Sequence, residues 1–224
     1  MRRLVLGFLL VVVTAGCLSF SPASDTRANT DIRSTPDADT LIESSIQNLE
    51  SADSYGLRHS TRLSTPSRMT TRTVTGEVDF SEQTASLVAE TSTGGRDVET
   101  RINVSDSTVY SDGDPVENIT SLRQYLADTE GLRVDYYPLD SLEAVADSSN
   151  ISMTSTTYEG DEAYRVSASD VSSGGRLNSE DTDAEIIAVI DAETRLPSEI
   201  RYEASDDASE VTETLRLRYG DGGD

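Results

Sequence analysis

The 224-residue sequence predicts an α+β fold: a curled antiparallel β-sheet with an N-terminal helix and a helical insert covering its concave face. Three observations carry this expectation. Most of the chain beyond residue 54 alternates apolar and polar side chains with a period of two, as half-buried strands do. Pairs of turn-forming residues separate these runs at short intervals, which favours hairpins over long crossovers. The period lengthens to a helical one in two places only, residues 39–52 and 118–147. A sheet of so many strands tends to curl.

The elements follow in order. Leu41, Ile42, Ser45, Ile46, Leu49 and Ala52 share one face of an opening helix at 39–52. Thr40 with Glu43 reads as its capping box. Tyr55, Leu57, His59, Thr61 and Leu63 then alternate with Gly56, Arg58, Ser60 and Arg62. Strands are expected next at 70–80, 85–93, 96–104 and 107–110, with turns at Gly94-Gly95 and Ser105-Asp106. Helices are expected at 118–130 and 138–147, the second with Pro138 in its first turn. Strands resume at 151–158 and 163–168 around Glu159-Gly160-Asp161. A polar loop at 174–183 precedes strands at 184–190, 198–204 and 210–219. In the last of these Glu213 shares the face of Val211, Leu215 and Leu217.

The chain opens as an export signal. Met1-Arg2-Arg3 is a basic head, residues 4–15 are mostly apolar, and Thr14-Ala15-Gly16-Cys17 closes the segment with small residues and the sole cysteine. The apolar run falls short of the roughly 20 residues that a spanning helix needs. The ending resembles the lipobox of bacterial and archaeal lipoproteins. That resemblance implies cleavage after residue 16 and a diacylglyceryl-type lipid on Cys17. The alternatives are an ordinary secretory signal with an incidental cysteine, or an uncleaved anchor. The Arg2-Arg3 pair is similar to a twin-arginine signal. Residues 17–38 read as a flexible tether from lipid to domain, and residues 39–224 as one domain. The expected location is the extracytoplasmic face of the cell membrane.

Charge narrows the partners. All 18 basic residues are arginine, against 41 acids. Without Arg2 and Arg3, 16 arginines face those 41 acids, a charge of −25 for the processed chain. Such a chain lacks the basic patch that nucleic acid requires. The composition resembles that of proteins exported by salt-loving archaea. Abundant carboxylates keep a surface hydrated in concentrated salt, where charges act over only about 3 Å.

The final third carries a further resemblance. Tyr158, Gly160, Ala163, Tyr164 and Val166 precede the run Asp191-Ala192-Glu193-Thr194-Arg195-Leu196-Pro197, and Leu215, Leu217, Tyr219 and Gly220 follow. These residues are similar to the lipoprotein-carrier family typified by LolA and LolB, and to RseB-type regulators. The resemblance extends loosely over residues 39–220. It implies a half-barrel whose concave face holds an apolar guest, a lipid or a lipidated protein, under a helical lid. Soluble carriers of that family have no anchor, which sets this chain apart. The Asp191–Pro197 run has a purely local explanation as well. Asp and Thr form turns, and Pro suits the first residue of a strand.

No catalytic set is legible. His59 is the only histidine, and one histidine with one lipidated cysteine cannot build the usual zinc sites. No nucleophile elbow, phosphate loop or dinucleotide fingerprint occurs, so no cofactor is expected. The acidic groups Asp112, Asp114, Glu117 and Asp206, Asp207, Glu210 and Glu180, Asp181, Asp183 lack EF-hand spacing and read as solvated surface. Sequons at Asn103, Asn118 and Asn150 are compatible with glycosylation of an exported chain. The expectation is a non-enzymatic binding module for a lipid or other apolar ligand. Leu57, Leu63, Val78, Phe80, Ile102, Val189, Ile200 and Leu217 are its expected inner face. The alternative is an envelope sensor that meets another protein through its curved sheet.

Overall fold

In the computed structural model, residues 36–127, 139–169, 171 and 183–220 are described. The export signal, Cys17 and the tether up to residue 35 lie outside them, as do Pro138 and residues 174–182 of the expected polar loop.

Helix α1 spans Ala38–Ser51. Its N-cap is Asp37 rather than a residue of the expected Thr40–Glu43 box. The Asp37 carboxylate accepts from the backbone N–H of Thr40 at 2.9 Å and from the Thr40 hydroxyl at 2.9 Å. The backbone bond from Thr40 is the main reason that the Asp37 carboxyl titrates below its usual range. Leu41, Ile42 and Leu49 are at most 1% exposed, so α1 buries a full apolar stripe. Each such burial contributes roughly 1.5–3 kcal/mol.

Strands β1 (Ser54–Thr65), β2 (Arg68–Asp79), β3 (Thr84–Thr93), β4 (Arg96–Ser105), β5 (Thr108–Ser111) and β6 (Asp114–Asn118) follow α1. Helices α2 (Leu122–Ala127) and α3 (Leu139–Ala146) come next. Strands β7 (Asn150–Tyr158), β8 (Asp161–Ser169), β9 (Asp183–Asp191), β10 (Pro197–Ser205) and β11 (Glu210–Arg218) complete the chain. They form one antiparallel sheet in the order β6-β5-β4-β3-β2-β1-β11-β10-β9-β8-β7. Two meanders therefore meet at a central seam, where the first strand pairs with the last. The connection from β6 to β7 runs from one edge of the sheet to the other and carries α2 and α3.

Turn chemistry explains the meanders. Gly94-Gly95, Asp106-Ser107, Asp112-Gly113 and Glu159-Gly160 all have positive φ at both positions. Two-residue hairpin turns of this hand match strand twist, and they favour Gly, Asn and Asp. The expected turn at Ser105-Asp106 lies one residue further on, because Ser105 still pairs with Thr108. Strand β6 was not expected. Its sequence, Asp-Pro-Val-Glu-Asn, shows no alternation, and every residue in it is exposed. Its proline is tolerated because the strand lies at an edge.

The sheet is curled as well as open. Eleven strands at about 4.8 Å spacing would make a flat sheet roughly 50 Å wide. Helices of 14, 6 and 8 residues could not cover it. Yet residues from β1 to β5, β8 to β11 and all three helices join one hydrophobic cluster. Strand β3 passes especially close to Gly76 on β2. A Cβ there would lie 2.0 Å from the Ser86 carbonyl oxygen and 2.9 Å from the Leu87 Cα. Only glycine admits so close a passage of β3.

Polar bonds tie the insert to the sheet. Gln83, in the β2–β3 turn, accepts from the Leu122 N–H at 2.9 Å and so caps α2. Arg123 donates to the carbonyls of Leu49 at 3.3 Å and Ala52 at 2.5 Å, at the end of α1. Its guanidinium lies 3.7 Å from the centre of the Phe80 ring. Helices α2 and α1 are thus held together over the β2–β3 end of the sheet.

Candidate binding face

Strand register sorts the core face into cross-strand rows. One row is apolar: Val78 and Tyr55 stand opposite each other on β2 and β1. The next holds Gly76, Leu57 and Leu217. A third holds Val74, His59, Leu215, Ile200 and Ala188. The following row is polar. Thr91, Arg72, Thr61, Glu213 and Tyr202 are successive partners across β3, β2, β1, β11 and β10. Beyond it, Leu63, Val211, Ala204 and Ala184 form one more row. A polar belt thus crosses an apolar face, with His59 one row away.

The belt is buried at its β10–β11 end and half-buried at Thr61, Arg72 and Thr91. His59 and Tyr202 are 2% exposed and Glu213 is 7% exposed. The Thr61 hydroxyl oxygen, between Arg72 and Glu213, is buried and has no hydrogen-bond partner among the described residues. An unsatisfied buried hydroxyl costs about 1–3 kcal/mol, so it calls for a physical account.

Past the last row the face opens. A recess of about 830 Å³ lies at the ends of β1, β8, β9, β10 and β11. Ala184, Ala204 and Val211 line it from the core face. Glu185, Glu203, Asp206 and Glu210 also line it, so the recess carries strong negative charge. Its size falls within the range of about 300–1,000 Å³ typical of ligand sites.

The eight residues expected on the inner face divide three ways. Leu57, Val78, Phe80, Ile102, Ile200 and Leu217 belong to the packed cluster and are at most 6% exposed. Leu63 is partly buried and stands in the row beside the recess. Val189 is on the opposite face, paired with Glu199 and Arg165. The cause is the unbroken apolar run Ile186–Ile190, which has no alternation to show which side faces inward. Side-chain register across distant strands hid the belt and the recess from the sequence. Only the apolar-side placement of His59 and Glu213 hinted at them.

The run resembling the carrier family serves as a turn. Asp191 Oδ1 accepts from the N–H groups of Glu193 at 3.0 Å and Thr194 at 2.6 Å, and from the Thr194 hydroxyl at 2.8 Å. Arg195 takes a φ of 60°, and the Pro197 carbonyl accepts from the Tyr219 hydroxyl at 3.0 Å. Asn48 on α1 donates to the Thr194 carbonyl at 2.7 Å. The motif therefore closes the β9–β10 hairpin and docks α1 onto it.

Other candidates are placed at the surface. Asn103, Asn118 and Asn150 are exposed, as glycosylation would require. Asp112 and Asp206 accept backbone N–H bonds, from Arg101 at 2.9 Å and from Ala208 and Ser209 at 2.8 and 2.6 Å. Among the described residues no group of three His, Cys, Asp or Glu side chains is arranged to hold a metal. On the outer face Arg216 donates to Glu199 at 2.8 Å, and the Tyr158 hydroxyl donates to the same carboxylate at 3.3 Å. Burial, then the Glu199 charge, raises the Tyr158 pKa above its ordinary value.

The fold is therefore an open antiparallel cradle with one core face, short helices across it and a recess at one end. No family model matches the chain, and no curated protein matches its sequence. Among solved structures it is similar in fold to LprF from Mycobacterium bovis. The TM-score is 0.50 at 18% identity, over 85% of this chain and 96% of that one. The lipoprotein LppX of Mycobacterium tuberculosis aligns at a TM-score of 0.49 and 10% identity, over 83% of this chain and 96% of that one.

Proposed function

We propose that this chain is a non-enzymatic, lipid-anchored protein of the extracytoplasmic membrane face that carries an apolar or amphiphilic guest in its cradle. The observation that carries the reading is the recess of about 830 Å³ at the strand ends, which Val211, Ala204 and Ala184 line from the core face. The fold shared with LprF supports a cradle of this kind. The half-barrel and helical lid implied by the carrier resemblance fit the same reading. Anchoring rests on the sequence, through Cys17. No helix among the described residues is long and apolar enough to cross a membrane.

The guest is tested with a fluorescent acyl probe. Folded protein in high salt should take it up saturably, and Ala184→Phe, which narrows the recess at its core-face wall, should weaken uptake in protein that circular dichroism shows to be folded. Absence of saturable uptake by the wild type would remove the carrier reading. The anchor is tested separately. Cys17→Ser should shift the protein from the membrane fraction to the medium or leave its signal uncut. An intact mass with residues 1–16 attached and no lipid would refute the anchor.

A second reading has one observation of its own. Strand β6 is an exposed edge, and its Val116 is 60% exposed. An edge of this kind can receive a strand from another protein. Loss of a co-purifying protein on Val116→Lys, with probe uptake unchanged, would favour this sensor-like role.

A further inference from the structure

We propose that the outer face of the sheet, opposite the cradle, carries a binding site for a phosphate group, held by Arg58, Arg216 and Arg218 over Gly56. The site is independent of the carrier reading and stands or falls without it.

Strand register sets the geometry. Across the central seam Gly56 pairs with Arg218, and Arg58 pairs with Arg216. These four positions share the outer face, because the buried Leu57 and Leu217 between them belong to the core. Side chains on such a square stand about 5 Å apart across the strands and about 7 Å apart along them. Three corners are arginine, and the fourth has no side chain. A recess of about 410 Å³ lies at this place, and all four residues line it. Tyr158, next to the β7–β8 turn, lines it too.

Gly56 has no steric reason to be glycine. Its φ is not positive, and a Cβ there would meet only backbone oxygens at 3.8 Å. It sits in β1, at the centre of the sheet, where glycine weakens a strand. Glycine in such a position often marks the close approach of a ligand. The open corner beside three arginines is the space that a ligand would fill.

The charges lack partners of their own. Like charges directly opposite each other destabilise a sheet, yet Arg58 faces Arg216. The chain has 41 acids, but among the described residues the exposed side chains of Arg58 and Arg218 make no ion pair or hydrogen bond. Arg216 donates from Nε to Glu199 at 2.8 Å, which orients its guanidinium and leaves both terminal nitrogens for another acceptor. An anion shared by the three arginines would offset their repulsion. Glu77 and Glu159 also line the recess, so arginines outnumber carboxylates there by three to two, in a chain with a formal charge of −23. A carboxylate matches one guanidinium fork, whereas a phosphate offers oxygens to several arginines at once. Concentrated salt screens the long-range repulsion of the acidic surface and leaves these short contacts.

Calorimetric titration of the full chain in high salt tests the site with three probes. They are inorganic phosphate, glycerophosphoglycerol (the headgroup of phosphatidylglycerol without its acyl chains) and acetate. One phosphate should bind per chain, at least about tenfold more tightly than acetate. Whichever phosphate probe binds more tightly identifies the source, a lipid headgroup or a soluble anion. Arg58→Gln should weaken phosphate binding about tenfold, the worth of one charge-assisted hydrogen bond. Gly56→Val should abolish it without lowering the melting midpoint, because the corner is open and valine suits a strand. Uptake of the acyl probe should be unchanged in both variants, which lie on the face away from the cradle. No saturable phosphate binding by the wild type, equal binding of acetate, or an affinity unmoved by Arg58→Gln or by Gly56→Val would overturn the site and leave the carrier reading untouched.

Discussion

Gly76→Ala should destabilise the domain by about 3 kcal/mol, at the upper end of overpacking costs. The added methyl would meet the Ser86 carbonyl oxygen at 2.0 Å and the Leu87 Cα at 2.9 Å. Both are backbone atoms of β3, so no side-chain rotation relieves the contact. The two strands would have to part along the β2–β3 ladder, which runs from Thr70 to Asp79. Gly56 on β1 is the natural control. A Cβ there meets only backbone oxygens at 3.8 Å, an ordinary contact. Gly56→Ala should be neutral or stabilising by about 0.5 kcal/mol, because alanine restricts the unfolded chain. Urea titrations of both variants in high salt measure the difference. Equal stabilities would mean that β3 does not pass so close to Gly76.

A second large effect should follow salt. The melting midpoint should rise by roughly 10 °C between 0.1 M and 3 M salt, at about 2–4 °C for each kcal/mol gained. Carboxylates outnumber arginines 41 to 18, and their repulsion acts over about 30 Å in dilute salt but only about 3 Å near 1 M. Salt also weakens ion pairs such as Arg101–Glu99, Arg201–Glu203 and Arg216–Glu199. Those pairs are largely surface contacts worth at most about 1 kcal/mol each, so the relief of repulsion should win. Circular dichroism melts across the salt range give the answer. A flat or falling midpoint would refute the salt-dependent reading of the composition.

What the sequence revealed depended on whether the signal was local. Gly94-Gly95 and Glu159-Gly160 announced their hairpins because positive φ is a property of the turn itself. The stripe from Leu41 to Leu49 announced α1 for the same kind of reason, although its cap lay just outside the stripe, at Asp37. Strand β6 escaped because an exposed edge needs no alternation. Val189 was assigned to the wrong face because Ile186–Ile190 is apolar on both sides. The binding face was least legible of all. Arg72, Thr61, Glu213 and Tyr202 become neighbours only through pairing of β2, β1, β11 and β10. The recess depends on strand ends equally far apart in the chain.

The seam between β1 and β11 has a consequence for the order of folding. Each meander is built from neighbouring hairpins and can form as soon as its own residues are free. The centre of the sheet cannot, because β1 must wait for Glu210–Arg218, the last strand of the chain. Until β11 is available the N-terminal meander therefore stands with β1 unpaired on one side. Closing so long a loop is slow and leaves a bare strand edge while it lasts. In the finished domain the two ends of the chain's strand order lie side by side at mid-sheet, so loss of the final strand would separate the two halves rather than trim an edge.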